Sequence, residues 1–196
     1  MKQRKYFTKI CAMLFLLGAF AATSVYAQGP PPYDIQQHFA IGFQYIEPSG
    51  IKMPGVNARF WSDGNVGFDI GYGRKSDDTL FRFISSGEKI KLNVDLINAS
   101  LLYTVYHGDT SVVYIRPYVG GGAVISRIST DVEDRLYDSD KEKMRLGTKA
   151  GGQGFAGAEI SFKAFPQLSI GGDAGYMYAH GEGESTGRFM IHFYFK

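Results

Sequence analysis

The chain has 196 residues, 44% apolar, 20% charged and 15% aromatic, with a formal net charge of +2. That length suits one domain, and the supply of aromatic residues argues against a disordered or low-complexity chain. No uncharged apolar run reaches the roughly 18–20 residues that a membrane helix needs. This excludes a helical membrane protein but not a membrane β-barrel, whose strands are only half apolar.

Residues 1–27 read as a secretory signal peptide. Lys2, Arg4, Lys5 and Lys9 make a basic start, Ile10 to Ala22 is apolar, and Val25-Tyr26-Ala27 meets the small-x-small rule, so cleavage is expected between Ala27 and Gln28. The segment takes four basic and no acidic residues with it, so the formal charge of the remaining chain falls from +2 to −2. A nucleic-acid partner then has no electrostatic support. The sole cysteine, Cys11, also leaves, which removes disulfides, thiol chemistry and cysteine metal sites. Residues 28–35, with Pro30, Pro31 and Pro32, read as an extended leader. The folded domain is expected over 36–196.

From there the dominant pattern is alternation of period two, which predicts eight strands of about ten residues or more. They fall at about 37–46, 55–62, 65–74, 90–106, 111–127, 153–163, 167–180 and 187–195. In the first, Phe39, Ile41, Phe43 and Tyr45 share a face; in the third, Val66, Phe68, Ile70 and Tyr72; in the last, Phe189, Ile191, Phe193 and Phe195. In the fourth the apolar parity changes near Leu96-Ile97, which predicts a β-bulge. Connections after the second, fourth and sixth strands are short and carry turn residues. Those after the third (about 75–89) and fifth (about 128–152) are long, and those after the first and seventh intermediate. Long connections thus share one end and short ones the other, the layout of an up-and-down antiparallel transmembrane barrel.

Alternation alone does not say which face is outside. A soluble barrel of lipocalin type hides its apolar face; a membrane barrel turns it to lipid. The opposite face carries Gly, Asn, Ser, Gln and single charges, while lysines 52, 75, 89, 91, 141, 143, 149, 163 and 196 fall in loops or at strand ends. A water-facing strand surface carries lysine freely, so the membrane reading is favoured. Aromatic residues near strand ends (Phe39, Tyr45, Phe60, Tyr72, Tyr103, Tyr178, Phe189, Phe195) suit interfacial girdles.

The inward charges would be Arg59, Asp69, Arg116, Glu159, Asp173, Arg188 and His192. In a narrow closed lumen such charges must be paired. They are expected to form a structural polar network that fills the interior; a selectivity filter and a catalytic site are the other readings.

Arg116-Pro117-Tyr118-Val119-Gly120-Gly121-Gly122-Ala123 is similar to the PYVGxGxG strand of the OmpA/OmpX/OmpW-type outer-membrane β-barrel superfamily of Gram-negative bacteria. Gly157-Ala158-Glu159-Ile160-Ser161-Phe162 followed by Gln167-Leu168-Ser169-Ile170 resembles that group's GxEY strand, short turn and next strand. The resemblance covers about 36–196. It implies an eight-stranded antiparallel up-and-down barrel of the cell outer membrane. Its partners would be outer-membrane lipid, lipopolysaccharide and the barrel-assembly machinery, and a narrow OmpW-like channel is a further implied possibility. These barrels commonly end on an aromatic residue, whereas here Phe195 is penultimate and Lys196 last.

Other motifs carry less. Gly152-Gln153-Gly154-Phe155-Ala156-Gly157 matches a dinucleotide fingerprint, but the pattern after it is a strand and the fingerprint needs a helix. His180-Gly181-Glu182-Gly183-Glu184 reads as an exposed loop, and Ser185 beside it is the sole sequence-local Ser/His/carboxylate grouping. The acidic stretch Asp131, Glu133, Asp134, Asp138, Asp140 and Glu142 reads as a solvated loop that could meet an extracellular ligand. The expectation is a non-enzymatic monomer with no catalytic, cofactor-binding or metal site. It would maintain the envelope or present loops for adhesion; a narrow channel and a soluble periplasmic carrier are the alternatives.

Overall fold

The computed structural model describes residues 38–48, 50–62, 65–77, 92–130, 146–179 and 182–195. Nine strand segments follow in chain order: β1 (Phe39–Pro48), β2 (Met53–Trp61), β3 (Val66–Asp77), β4 (Leu92–Thr104), β5 (Gly108–Asp109), β6 (Val113–Thr130), β7 (Gly147–Phe162), β8 (Phe165–Ala179) and β9 (Glu182–Phe195). β5 is a two-residue rung on β6 within the β4–β6 turn. The other eight form the wall, each antiparallel to its chain neighbour, and β9 returns to pair with β1 from Phe39↔Phe195 to Pro48↔Thr186. The sheet is a closed eight-stranded barrel.

The pairing also fixes the stagger. Stepping across the wall from Ala40 leads through Arg59, Asp69, Ser100, Gly122, Gln153 and Met177 to Glu184. Ala40 itself pairs with Tyr194, which lies ten residues further along β9, so the shear number is ten. For eight strands that stagger tilts the wall by about 40° and leaves an interior that side chains can fill.

Alternation places side chains on opposite faces, and here the apolar face is the outer one. Phe43 is 74% exposed, and Ile41, Phe60, Phe68, Leu101, Tyr178, Phe189 and Phe193 are exposed with it. Arg59, Asp69 and His192 have no accessible surface at all. A wall apolar outside and charged inside is stable only with hydrocarbon around it. The soluble carrier needs the reverse polarity.

Inward glycines make room for inward rings. The Trp61 indole occupies the place of a side chain on its cross-strand partner Gly67, and the Phe155 ring does the same at Gly120. A leucine at Gly67 would drive Cβ into the indole. Gly67→Leu is expected to destabilise the barrel by about 1–3 kcal/mol through overpacking, read as a lower urea midpoint of the folded band on unheated gels.

Three expectations are corrected. No bulge occurs at Leu96-Ile97: pairing of β4 to β3 and β6 runs through both without a register shift. The apolar parity changes in the sequence because inward Leu92 and Leu96 line an apolar lumen layer, while outward Asn93 and Asp95 have passed the lipid belt. The long connection expected over 128–152 is shorter, since β6 runs to Thr130 and β7 starts at Gly147. The two connections expected to be intermediate are short: Ile51 N–H donates to Pro48 O at 2.8 Å with Gly50 at φ +83°, and Ala179 pairs with Glu182. Residues 1–35 and the acidic stretch 131–145 lie outside the described residues.

Candidate functional site

The lumen is filled in layers. At the end of the short turns, Ala40, Trp61, Leu102, Tyr118, Phe155 and Tyr194 form a buried cluster. At the opposite end, where the long connections leave, Ile46, Met53, Leu96, Val124 and Met177 form another, with Ile51 and Val94 against it. Between and beside them sit the charges.

Asp69 on β3 is the hub. It accepts from Arg59 Nε at 3.0 Å and lies 2.9 Å from Arg59 Nη2, while its other oxygen accepts from Arg188 Nη1 at 3.1 Å. Asn57 Nδ2 adds a bond at 3.2 Å. Arg188 also grips Asp173 through Nε at 2.9 Å and Nη2 at 2.7 Å, and Tyr118 OH donates to Asp173 at 3.1 Å. On the other side Arg59 Nη1 reaches Glu159 at 3.4 Å. Glu159 further accepts from Tyr194 OH at 2.7 Å, from Trp61 Nε1 at 3.3 Å and from Ser169 Oγ. His192 contacts Asn57 Nδ2 through Nε2 at 2.7 Å; its Nδ1 lies 3.3 Å from Glu159 without hydrogen-bond geometry. Arg116 stands apart: its guanidinium stacks 4.7 Å over the Trp61 ring, and its Nη1 is buried without a hydrogen bond. Three guanidinium groups thus share the lumen with three carboxylates.

These contacts join six of the seven inward residues, Arg59, Asp69, Glu159, Asp173, Arg188 and His192, in one network, with Arg116 held beside it by Trp61. The neutral members Asn57, Asn98, Ser169, Tyr118, Trp61 and Tyr194 were not singled out from sequence. Their inward parity was the available signal. Of the Ser/His/carboxylate grouping, Ser185 is outward on β9 opposite Tyr176, and His180 lies outside the described residues. Gly152–Gly157 runs as continuous strand within β7, which disposes of the dinucleotide fingerprint. At the turn end, Lys163 binds Asp109 at 2.6 Å and lies over the Tyr114 ring, joining two turns. The Asp109 hydrogen bond raises the proton affinity of this half-buried lysine's ammonium.

No family model and no curated protein matches the sequence. Solved structures do. The N-terminal β-barrel domain of Pseudomonas aeruginosa OprF is similar at TM-score 0.52 and 17% identity, over 82% of this chain and 98% of that one. The fold is that of an outer-membrane β-barrel. OprG from the same organism matches at TM-score 0.49 and 16% identity, over 82% of this chain and 96% of that chain. Ail of Yersinia pestis, in complex with the heparin analogue sucrose octasulfate, matches at 0.39 and 14%, over 79% and 92%. As an outer-membrane barrel the chain has two chemically distinct regions. One is a lumen closed by its own side chains. The other is a rim from which the connections 78–91 and 131–146 emerge.

Proposed function

We propose that this protein is a monomeric, non-enzymatic barrel of the cell outer membrane, with its wall a rigid scaffold and its two long connections the binding elements for an extracellular ligand. The observation that supports this reading is the filled lumen: a charge network flanked by apolar layers occupies the interior, so the reading assigns recognition to the rim. In this reading stability comes from the pairing of Arg59 and Arg188 with Asp69, Asp173 and Glu159, because a buried charge is tolerated only with its partners in place.

A second reading, a narrow channel, rests on different atoms. Gln44 Oε1, Asn57 Oδ1 and Asn98 Oδ1 are buried without a hydrogen-bond partner among the described residues. Buried amide oxygens of this kind are commonly satisfied by internal water, and a thread of such waters beside the network would be a polar path. Planar-bilayer recording of the full chain separates the two. The scaffold reading expects a silent bilayer at protein levels where open porins conduct; reproducible unitary steps that vanish in Asn98→Leu would favour the channel.

A further inference from the structure

The outer wall changes character one register row above the loop-end girdle. Tyr72, Ile97 and Ile125 are cross-strand neighbours and all exposed. Two residues further toward the long connections, the same face presents Arg74, Asp95 and Arg127 side by side on β3, β4 and β6. The next row is uncharged, with Ser76, Asn93 and Ser129 in register and Ser76 bonded to Asn93 at 2.8 Å. Asp95 is fixed from below by the Tyr72 hydroxyl at 2.6 Å and from the side by Arg74 Nε at 3.6 Å. Arg74 nevertheless stays 57% exposed. The row holds two cations to one anion.

We propose that Arg74 and Arg127 form a docking site for the phosphorylated headgroup of a lipid in the leaflet at the loop end. This rests on the membrane-barrel reading above. Guanidinium groups recognise phosphate oxygens with two parallel hydrogen bonds, a match lysine does not make. Tyrosines mark the depth where acyl chains give way to headgroups, so the row directly beyond Tyr72 lies at phosphate level. Asp95 spaces the two arginines and is held by Tyr72, leaving the row a surplus positive charge that a lipid phosphate would neutralise. An ion-pair belt with no ligand would need a second carboxylate, and none occurs in these rows among the described residues.

The test uses the full chain in neutral detergent, native mass spectrometry, and two probes: bisphosphorylated lipid A and the same lipid after phosphatase treatment. The wild type is expected to retain the phosphorylated probe preferentially. Arg74→Gln with Arg127→Gln should reduce that retention about tenfold, the scale of losing charge-assisted bonds to phosphate. Asp95→Asn should increase it, a sign that a purely structural belt does not produce. Equal retention of both probes, or retention unchanged in the double arginine variant, overturns the proposal. So does displacement by equimolar inorganic phosphate, which would mark a free-anion site. Heat-modifiable gel mobility, run on every sample, reports the barrel independently. A wild type that shows no shift defeats the membrane reading and this site with it, whereas a normal shift with unselective lipid retention defeats the site alone.

Discussion

Replacing Asp69 with alanine is expected to destabilise the barrel by about 3–5 kcal/mol, the range for removing one partner of a buried ion pair. Asp69 is the carboxylate that both Arg59 and Arg188 share, at 2.9 Å and 3.1 Å. Its loss strands positive charge at a place with no accessible surface. Asp173→Ala should do less, because Asp173 contacts Arg188 alone among the arginines and Arg188 keeps Asp69. A balanced change, Arg59→Met with Asp69→Leu, should recover part of the loss, since apolar side chains can replace a buried pair, while Glu159 gives up its Arg59 contact. Urea titration followed by the fluorescence of Trp61, the single tryptophan, reads all three, because its indole donates to Glu159 within the same network. An unmoved midpoint in Asp69→Ala would mean that water screens these charges, and the channel reading would gain.

Removing the long connections should have the opposite profile: complete loss of ligand binding with the barrel retained. The wall permits the surgery. Asp77 and Leu92 are paired residues, so an Asn-Gly turn can replace 78–91 without disturbing register. Ile128 pairs with Gly147, so 131–145 can likewise be exchanged for a short glycine-containing turn. Shortening a surface loop changes closure entropy little. The expected result is an unchanged heat-dependent gel shift together with the disappearance of whole-cell adhesion or phage adsorption scored for the intact chain. A shortened protein that no longer folds would show that the connections belong to the scaffold. Unchanged binding would move recognition to the wall.

Much of this architecture is legible in the alternation. A closed barrel uses period two along its whole wall, so Phe39 to Tyr45 on one face and Ala40 to Ile46 on the other follow directly from spacing. The polarity of the inward set decides which face meets lipid. The errors cluster at the loop end, and for one reason. There the strands project beyond the bilayer, so outward positions such as Arg74, Asp95 and Arg127 become polar while inward Leu96 and Val124 remain apolar. The signal inverts without any change of backbone. Periodicity therefore ends β3 and β6 early, begins β7 late and invents a bulge in β4. The charges of the lumen are visible as inward residues, but their partners are not. Arg188 meets Asp69 from 119 positions away, a contact set by the stagger of the whole wall, which no local pattern encodes. The tyrosine and tryptophan donors to Glu159 pass for inward filler residues until the cross-barrel distances are known.

The junction of β1 with β9 has a consequence for biogenesis. Until β9 is in place against β1, the sheet has two open edges, at β1 and at β8, each a template for pairing with other molecules. The strand that closes the sheet is also the one that carries Arg188, His192 and Tyr194. A barrel lacking it holds Asp173 without its guanidinium and Glu159 without the Tyr194 hydroxyl. Charge neutrality of the interior and elimination of the free edges are therefore reached in the same step. A truncation before Glu182 would leave no smaller working barrel, and would pass to quality-control proteolysis as an aggregation-prone sheet with stranded ions.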